Sequence, residues 1–226
     1  SMLEGMELPM VGVGSNKSGK VCVAVVGQTG SGQSTLLASL RHFLIKSCKN
    51  RKIVTFEAPI EYDLTRLQSD SNLIVQCEIG DNLPDFYEGV CEALRQAPTD
   101  ILIGEARNRE TIMAMLQASE SGHAAYVTIH AESVRTTFTR IAQEFDSKAF
   151  EQTIFKLLTQ MRVIVCQRLA LPPPVGRRVP IREWLVITPE FREKLLRMTA
   201  MDALLSVEQE VVRLGQSFSQ QALKAY

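Results

Sequence analysis

The sequence predicts an α/β fold with a doubly wound, mainly parallel sheet, followed by a helical lobe toward the C-terminus. Two observations lead to this prediction. Short apolar runs rich in β-branched residues, such as residues 21–26, alternate with segments of helical spacing up to about residue 130. Beyond about Ser133, most apolar residues recur at helical spacing instead. Strands that alternate with helices favour parallel crossover connections, which build a doubly wound sheet.

Individual elements follow from the local pattern. Leucines at helical spacing predict a helix over residues 34–46, and Asn108 is the predicted cap of another helix. Asn82 is predicted to cap a helix that carries Pro84 in its first turn. The other predicted strands cover residues 53–56, 101–103 and 124–129, and residues 163–167 and 181–187 are predicted to pair as a hairpin.

Three segments are expected along the chain. Residues 1–20 are rich in small residues and predict a linker, in which Ser1 and Met2 are interpreted as a remnant of tag removal. Residues 21–190 are predicted to form the α/β domain. Residues 191–226 are predicted to form a C-terminal helical segment.

The composition argues against several classes of protein. The 226 residues include 25 basic and 25 acidic side chains, so no net charge draws the chain toward nucleic acid. No apolar run approaches the roughly 18 residues that cross a bilayer. Five scattered cysteines without a CxxC pair favour free thiols in a reducing cytosol. We therefore expect a globular domain that does not bind nucleic acid directly.

The strongest functional signal is the segment GQTGSGQST between a predicted strand and a predicted helix. Glycines let successive backbone N–H groups converge, and the helix N-terminus adds its positive dipole end, so the segment predicts a phosphate loop. Ser34 has the position whose hydroxyl normally ligates Mg²⁺. We expect ATP and Mg²⁺ as cofactors. The candidate binding residues are Gly27, Gln28, Thr29, Gly30, Ser31, Gly32, Gln33, Ser34 and Thr35.

The loop departs from its usual form at Gln33, where the motif has lysine. That lysine normally places a positive charge against the β- and γ-phosphates. Glutamine is shorter and neutral, and loss of one preorganised donor costs about 2.7–4 kcal/mol, or about 100- to 1,000-fold in rate. Nucleotide binding with strongly reduced hydrolysis is therefore expected. Two origins stay open, a deliberate disabling substitution and a naturally impaired protein.

Candidate catalytic residues follow three of the predicted strands. Glu105 ends the run ILIGE, where a carboxylate can polarise water, and Glu57 and Glu61 flank Pro59 after an earlier strand. His130 ends the strand at residues 124–129, where a histidine can bond to a phosphate. Surface carboxylates and a hydrogen-bonded structural histidine are the alternatives. His123 is expected near the same sheet edge, and His42 is expected to be structural or exposed.

Together these segments resemble the secretion ATPase family that includes PilT and the motors of type II and type IV secretion. FEAPIEY is similar to its Asp box, ILIGEARNRETI to its Walker B region and GHAAYVTIH to its His box. The segments around QCEIGDNLPDFYEG and VCQRLAL resemble the DotB and conjugal-transfer TraJ branch. Ala58 and Cys77 depart from residues that are common in many relatives.

The resemblance implies a RecA-like ATPase domain that works as a homohexameric ring. It implies that Glu105 is the catalytic glutamate, that Glu57 and Glu61 are Asp-box carboxylates, that His130 senses phosphate and that Ser34 ligates Mg²⁺. It also implies an N-terminal domain, absent from this sequence, that contributes to subunit contacts.

The predicted function is ATP hydrolysis that drives a type IV secretion, conjugation or pilus machine. The implied partners are inner-membrane and cytoplasmic components of that machine, with the protein at the inner face of a bacterial inner membrane. Two alternatives stay open. One is a ring subunit that binds nucleotide without turning it over, which Gln33 favours. The other is a RecA-like DNA helicase, which the balanced charge disfavours.

Overall fold

The computed structural model of the protein describes residues 21–81, 83–171, 176 and 178–225, and of residues 222–225 it describes the backbone alone. The predicted linker over residues 1–20 and the predicted cap Asn82 lie outside the described residues. Within them no helix is long and apolar enough to cross a membrane.

The described residues contain seven strands. Their bounds are β1 (Val21–Gly27), β2 (Arg51–Glu57), β3 (Asn72–Glu78), β4 (Asp100–Ile103), β5 (Ala124–Ile129), β6 (Met161–Ala170) and β7 (Val179–Val186). The α-helices are α1 (Gln33–Ser47), α2 (Phe86–Arg95), α3 (Arg109–Glu120), α4 (Val134–Ala142), α5 (Phe150–Gln160), α6 (Pro189–Leu195), α7 (Ala200–Arg213) and α8 (Phe218–Ala225).

The strands pair in the order β3-β2-β4-β5-β1-β6-β7. β2 is parallel to both β3 and β4, and β4 is parallel to β5. β6 and β7 are antiparallel and place Gln167 opposite Arg182. The predictions of a mainly parallel α/β sheet and of a hairpin near the C-terminal third are both confirmed.

By its internal contacts the chain divides into two compact units. The described part of the first unit comprises residues 21–23, 34–81 and 83–128. Here β4 is buried and β2 is mostly buried, whereas β3 is only partly buried. Ile45, Ile53 and Ile74 form an apolar cluster with Leu64. Because these strands are parallel, their carboxyl ends meet at one edge of the sheet, where candidate residues of this unit lie.

The described part of the second unit comprises residues 24–33, 129–171, 176 and 178–225. α4 contacts both α5 and α7, and its Phe138 is completely buried. β6 and β7 pair along eight residue positions. Helices therefore dominate the C-terminal part of the chain, as predicted, while the domain boundaries at residues 21–190 and 191–226 remain a prediction.

Two local predictions need correction. β3 is a strand that the sequence pattern does not predict, because Asn72 and Gln76 interrupt its apolar run. α2 begins at Phe86, and its cap is Asp85, whose carboxylate accepts from the N–H of Glu88 at 2.9 Å. Pro84 therefore precedes the helix and is not part of its first turn. The predicted cap Asn108 of α3 is confirmed by its bond from Thr111 N–H at 3.0 Å.

Candidate nucleotide-binding site

The predicted phosphate loop connects the buried strand β1 to α1. β1 ends at Gly27 and α1 begins at Gln33. Gly30 and Gly32 have φ values of 77° and 82°, in the left-handed region that side chains disfavour. The N–H of Ser31 donates to the carbonyl of Gln28 at 3.0 Å and closes a turn. The loop is therefore curled in the way that its glycines predict.

Two features of the loop fit an anionic ligand such as a phosphate chain. A Cβ atom added at Gly27 would meet the Ser31 side chain and would lie 2.6 Å from the carbonyl oxygen of Gln167. The Ser31 hydroxyl is buried and has no hydrogen-bond partner among the described residues. Buried polar atoms are normally paired, so an unpaired hydroxyl inside a tight glycine-rich turn suits a bound acceptor.

The side chain of Gln33 contacts the last residue of β5. The residue is 9% exposed, and its Nε2 donates to the carbonyl of Ile129 at 3.1 Å. In this arrangement the side-chain amide anchors the start of α1 to a strand end. It supplies no positive charge at the position where a phosphate loop normally has lysine.

His130 follows β5 and contacts the first residue of the loop. Its Nδ1 lies 3.2 Å from the carbonyl oxygen of Gly27. Because a carbonyl only accepts, this contact requires a hydrogen on Nδ1, which makes Nε2 an acceptor in the neutral ring. Donation from Nε2 to a phosphate oxygen would therefore require the doubly protonated imidazolium.

Sequence reasoning missed other side chains that contact the loop or its neighbours. Gln167 on β6 bonds to two loop carbonyls. Glu132 accepts from the Gln28 amide at 3.3 Å, and its own carbonyl accepts from Arg168 at 2.6 Å. Arg168 in turn stacks over the ring of Phe218, 4.1 Å from its centroid. The available signal was a glutamine inside the apolar run of β6, because a buried amide needs partners.

In the first unit, the start of α1 contacts the segment after β2. The Ser34 hydroxyl donates to Glu61 Oε1 at 3.1 Å, and the hydroxyls of Thr35 and Tyr62 lie 3.1 Å apart. Hydroxyl and carboxylate oxygens are ligands that Mg²⁺ accepts, usually with waters and phosphate completing the shell. Among the described residues no group of three or more His, Cys, Asp or Glu side chains is arranged to hold a metal.

Glu57 has a different environment from Glu61. Its side chain is buried, and its Oε1 accepts from Thr55 at 2.8 Å, Gln76 at 3.0 Å and Arg41 at 3.1 Å. Burial lowers the pKa of Arg41, and the Glu57 carboxylate opposes that shift. These three bonds satisfy one carboxylate oxygen from inside the protein, so Glu57 connects α1, β2 and β3.

Glu105 lies just beyond β4 on a backbone that neighbouring strands hold in place. The N–H of Gly104 donates to Phe56 O at 2.7 Å, and the N–H of Ala106 donates to Thr128 O at 3.0 Å. The Glu105 carboxylate forms an ion pair with Arg107, which raises the pKa of that arginine. The Arg107 side chain is 75% exposed, so the pair is weak and a ligand can displace it.

The two remaining histidines contribute nothing to this site. His123 precedes β5 while His130 follows it, so the expectation that both lie near one sheet edge is wrong, since six strand residues span about 20 Å. The Nδ1 of His123 lies 3.2 Å from the carbonyl of Ala118 at the end of α3. His42 is an exposed residue of α1. His123 therefore helps to end a helix.

A buried strand, a curled glycine-rich loop and a helix, in succession within a mainly parallel sheet, define a P-loop nucleotide-binding protein of the α/β class. Comparison with known families sharpens this. The model of the type II/IV secretion system protein family matches residues 16–178, and the chain belongs to that family.

Three relatives show how similar the chain is to characterised proteins. It is 33% identical over 202 residues to the type IV pilus retraction ATPase PilT of Pseudomonas aeruginosa, covering 89% of this chain and 57% of that protein. The solved ATPase DotB of Legionella pneumophila has a TM-score of 0.89 at 35% identity, over 99% of this chain and 61% of that one. A PilT structure with bound ADP has a TM-score of 0.80 at 29% identity, over 97% and 60%.

These comparisons confirm the predicted RecA-like α/β fold and the resemblance to secretion and pilus ATPases, including DotB. The chain spans about three fifths of the length of the relatives that it matches. The activity and partners of a whole protein therefore remain to be proposed.

Proposed function

We propose that this chain is the nucleotide-binding core of an ATPase that powers a type IV secretion, conjugation or pilus machine. The observation that carries the proposal is the loop at Gly27–Gln33, curled at two left-handed glycines around the unpaired hydroxyl of Ser31. The PilT structure that matches 97% of this chain contains bound ADP. The matching fold supports the same class of ligand here.

The proposed roles follow the chemistry of each side chain. ATP supplies the γ-phosphate and, with Mg²⁺, the charge that the reaction redistributes. The Ser34 hydroxyl would hold the metal, and the adjacent Glu61 carboxylate, which accepts from that hydroxyl at 3.1 Å, would keep it in place. Glu105 leaves Arg107 and orients the attacking water in line with the γ-phosphate. His130 donates to a phosphate oxygen in its doubly protonated form.

Gln33 limits hydrolysis in this proposal. It leaves the charge that develops on the γ-phosphate without its usual lysine. A second candidate function is binding without turnover, and the bond from Gln33 to the Ile129 carbonyl favours it. In that role the side chain stabilises the loop while adding nothing to the transition state.

The proposed assembly is a homohexameric ring in the intact protein, located at the inner face of a bacterial inner membrane. Its partners are the inner-membrane and cytoplasmic components of the machine. The family membership of the chain supports this context. No contact with nucleic acid is part of the proposal.

Replacement of Gln33 by lysine tests the function directly. We expect Gln33→Lys to tighten Mg·ADP binding, measured by isothermal titration calorimetry, and to raise ATP hydrolysis by about 100-fold or more, because a charge is restored at the phosphates. Gln33→Met is the matched control, since it removes the bond to Ile129 without adding charge. It should raise neither quantity.

The outcomes separate the candidates. A gain in affinity together with hydrolysis supports the ATPase, and tight binding with no hydrolysis in Gln33→Lys, placed in the intact protein, supports the non-hydrolysing subunit. Failure of both the parent chain and Gln33→Lys to bind ADP or ATP would exclude nucleotide binding altogether.

A further inference from the structure

Gln167 on β6 binds the phosphate loop through the carbonyl groups of the loop. The residue is 4% exposed, and its Nε2 donates to two successive loop carbonyls, to Ser31 O at 2.7 Å and to Gly32 O at 3.1 Å. A side-chain amide has two N–H donors, and both are used here on adjacent peptide units. The contact therefore fixes the orientation of two peptide planes.

The orientation of these planes determines where the loop amides point. In a trans peptide unit the C=O and N–H bonds point in opposite directions. Holding the Ser31 carbonyl on Gln167 turns the N–H of Gly32 away from Gln167, and holding the Gly32 carbonyl does the same for the N–H of Gln33. Successive backbone N–H groups of this kind form the anion-binding concavity of a phosphate loop.

The glycines of the loop fit around Gln167. A Cβ atom added at Gly32 would lie 2.9 Å from Gln167 Nε2, and one added at Gly27 would lie 2.6 Å from the Gln167 carbonyl oxygen. Both distances are shorter than Cβ contacts in real proteins. Each end of the loop thus packs against the same residue, and a side chain at either glycine would push the loop away from it.

Arg182 determines which end of the Gln167 amide faces the loop. The two residues are direct partners in the β6–β7 register, and Arg182 Nε donates to Gln167 Oε1 at 2.8 Å. A guanidinium only donates, so it keeps the amide oxygen on its own side and the NH₂ group toward the loop. Rotation of the amide by 180° would place Oε1 against two carbonyl oxygens.

We propose that Gln167 is a positioning residue for nucleotide phosphates and that Arg182 fixes the orientation of its amide. This inference rests on the proposed nucleotide binding and deepens it. Because Gln33 supplies no charge, backbone amides carry a larger share of phosphate binding than in a loop with lysine. The affinity of the chain therefore depends on how well Gln167 holds those amides.

The test is Gln167→Leu in the full 226-residue chain, with and without Gln33→Lys. Leucine keeps most of the volume and removes both hydrogen bonds. We expect Mg·ADP binding, measured by calorimetry, to weaken on the order of tenfold, the effect of losing one or two neutral hydrogen bonds. Arg182→Met leaves Gln167 in place and should weaken binding by about two- to threefold, because the amide then samples both orientations.

Asn72 provides the matched control. It is also 4% exposed, and its Nδ2 donates to the carbonyls of Ile45 and Cys48, both at 2.9 Å. Asn72→Leu therefore removes a buried amide with the same two-carbonyl pattern at a place that the proposal does not involve. We expect Asn72→Leu and Gln167→Leu to lower the unfolding midpoint by similar amounts, while only Gln167→Leu weakens ADP binding.

The results distinguish failure of the proposed role of Gln167 from failure of the proposed nucleotide binding. Unchanged ADP affinity in Gln167→Leu, alongside an intact affinity in the parent, would overturn this inference and leave the proposed function standing. Absence of ADP binding in both the parent and Gln33→Lys would overturn both. If Gln167→Leu does not fold, Arg182→Met decides, and hydrogen exchange of the loop amides should then be faster in that variant than in Asn72→Leu.

Discussion

Glu57 and Glu61 lie four residues apart in one motif, yet their surroundings differ in almost every respect. Glu57 is buried and accepts three hydrogen bonds on one oxygen, one of them from the buried cation Arg41. Glu61 is exposed and accepts from the Ser34 hydroxyl at 3.1 Å. A motif that predicts two equivalent acids thus contains one carboxylate that stabilises the fold and one that ligands can reach.

Position near a strand end does not by itself determine whether a carboxylate is buried or exposed. Glu57 is the last residue of β2 and faces the interior, where Gln76 of β3 and Arg41 of α1 satisfy it. Glu61 lies beyond the strand on an irregular segment, where solvent and ligands compete for its oxygens. The assignment of both as catalytic remains a prediction, and the two environments suggest different tests.

Of the three replacements, that of Glu57 should change the free energy of unfolding most. Glu57→Leu leaves Arg41 buried without its counter-ion, and we expect a loss of about 3–5 kcal/mol in the free energy of unfolding. Urea denaturation measures it. The double variant Arg41→Met/Glu57→Leu should recover much of that loss, because it removes both charges. If Glu57→Leu is as stable as the parent, Glu57 contributes no more to the stability of the fold than the exposed Glu61.

Glu61→Gln should show the opposite pattern. The site is exposed, so the free energy of unfolding should change by no more than about 0.5 kcal/mol. In the Gln33→Lys background we expect ATP hydrolysis to fall by about 100-fold, typical of a lost acid–base or metal-positioning group, with ADP affinity largely kept. Steady-state hydrolysis and calorimetry check these values. Unchanged hydrolysis would remove Glu61 from the proposed mechanism.

A third carboxylate, Glu183, extends the comparison, and its replacement should have the smallest effect of the three. Glu183 accepts from the N–H of Val134 at 2.7 Å, and burial raises its pKa. A raised pKa in the folded state means that folding is most favoured below the ordinary value of about 4.3 and loses stability as the pH rises through the folded value. Glu183→Gln should therefore have a flatter pH dependence of unfolding above about pH 4. Identical slopes in the two proteins would show that burial does not raise the pKa of Glu183.

Much of the fold was predictable because its signals are local. The apolar run of β1, the leucine spacing of α1 and the cap Asn108 each depend on a few neighbouring residues. β3 was not predictable in this way, because its polar residues have partners far away in sequence. Asn72 bonds to the end of α1, and Gln76 bonds to Glu57.

The candidate site was predictable only in part, for the same reason. The glycine pattern predicts the curl of the loop. Ser34 contacts Glu61 and His130 contacts the Gly27 carbonyl, while their roles toward metal and phosphate stay predictions. Glu57 is buried and Glu61 is exposed because of how other elements pack around them, and the spacing of the two residues in the sequence does not reveal that packing. The contact of Gln167 with the loop depends on tertiary packing over more than a hundred residues.

If Gln167 positions the phosphates as proposed, its pairing with Arg182 makes ligand affinity depend on the alignment of β6 with β7. A shift of one residue between β6 and β7 would place Ile181 or Glu183 opposite Gln167. Neither could hold the amide oxygen as Arg182 does, since one is apolar and the other is an acceptor. On that proposal, an insertion or deletion in this hairpin should change nucleotide affinity without replacing any residue of the phosphate loop.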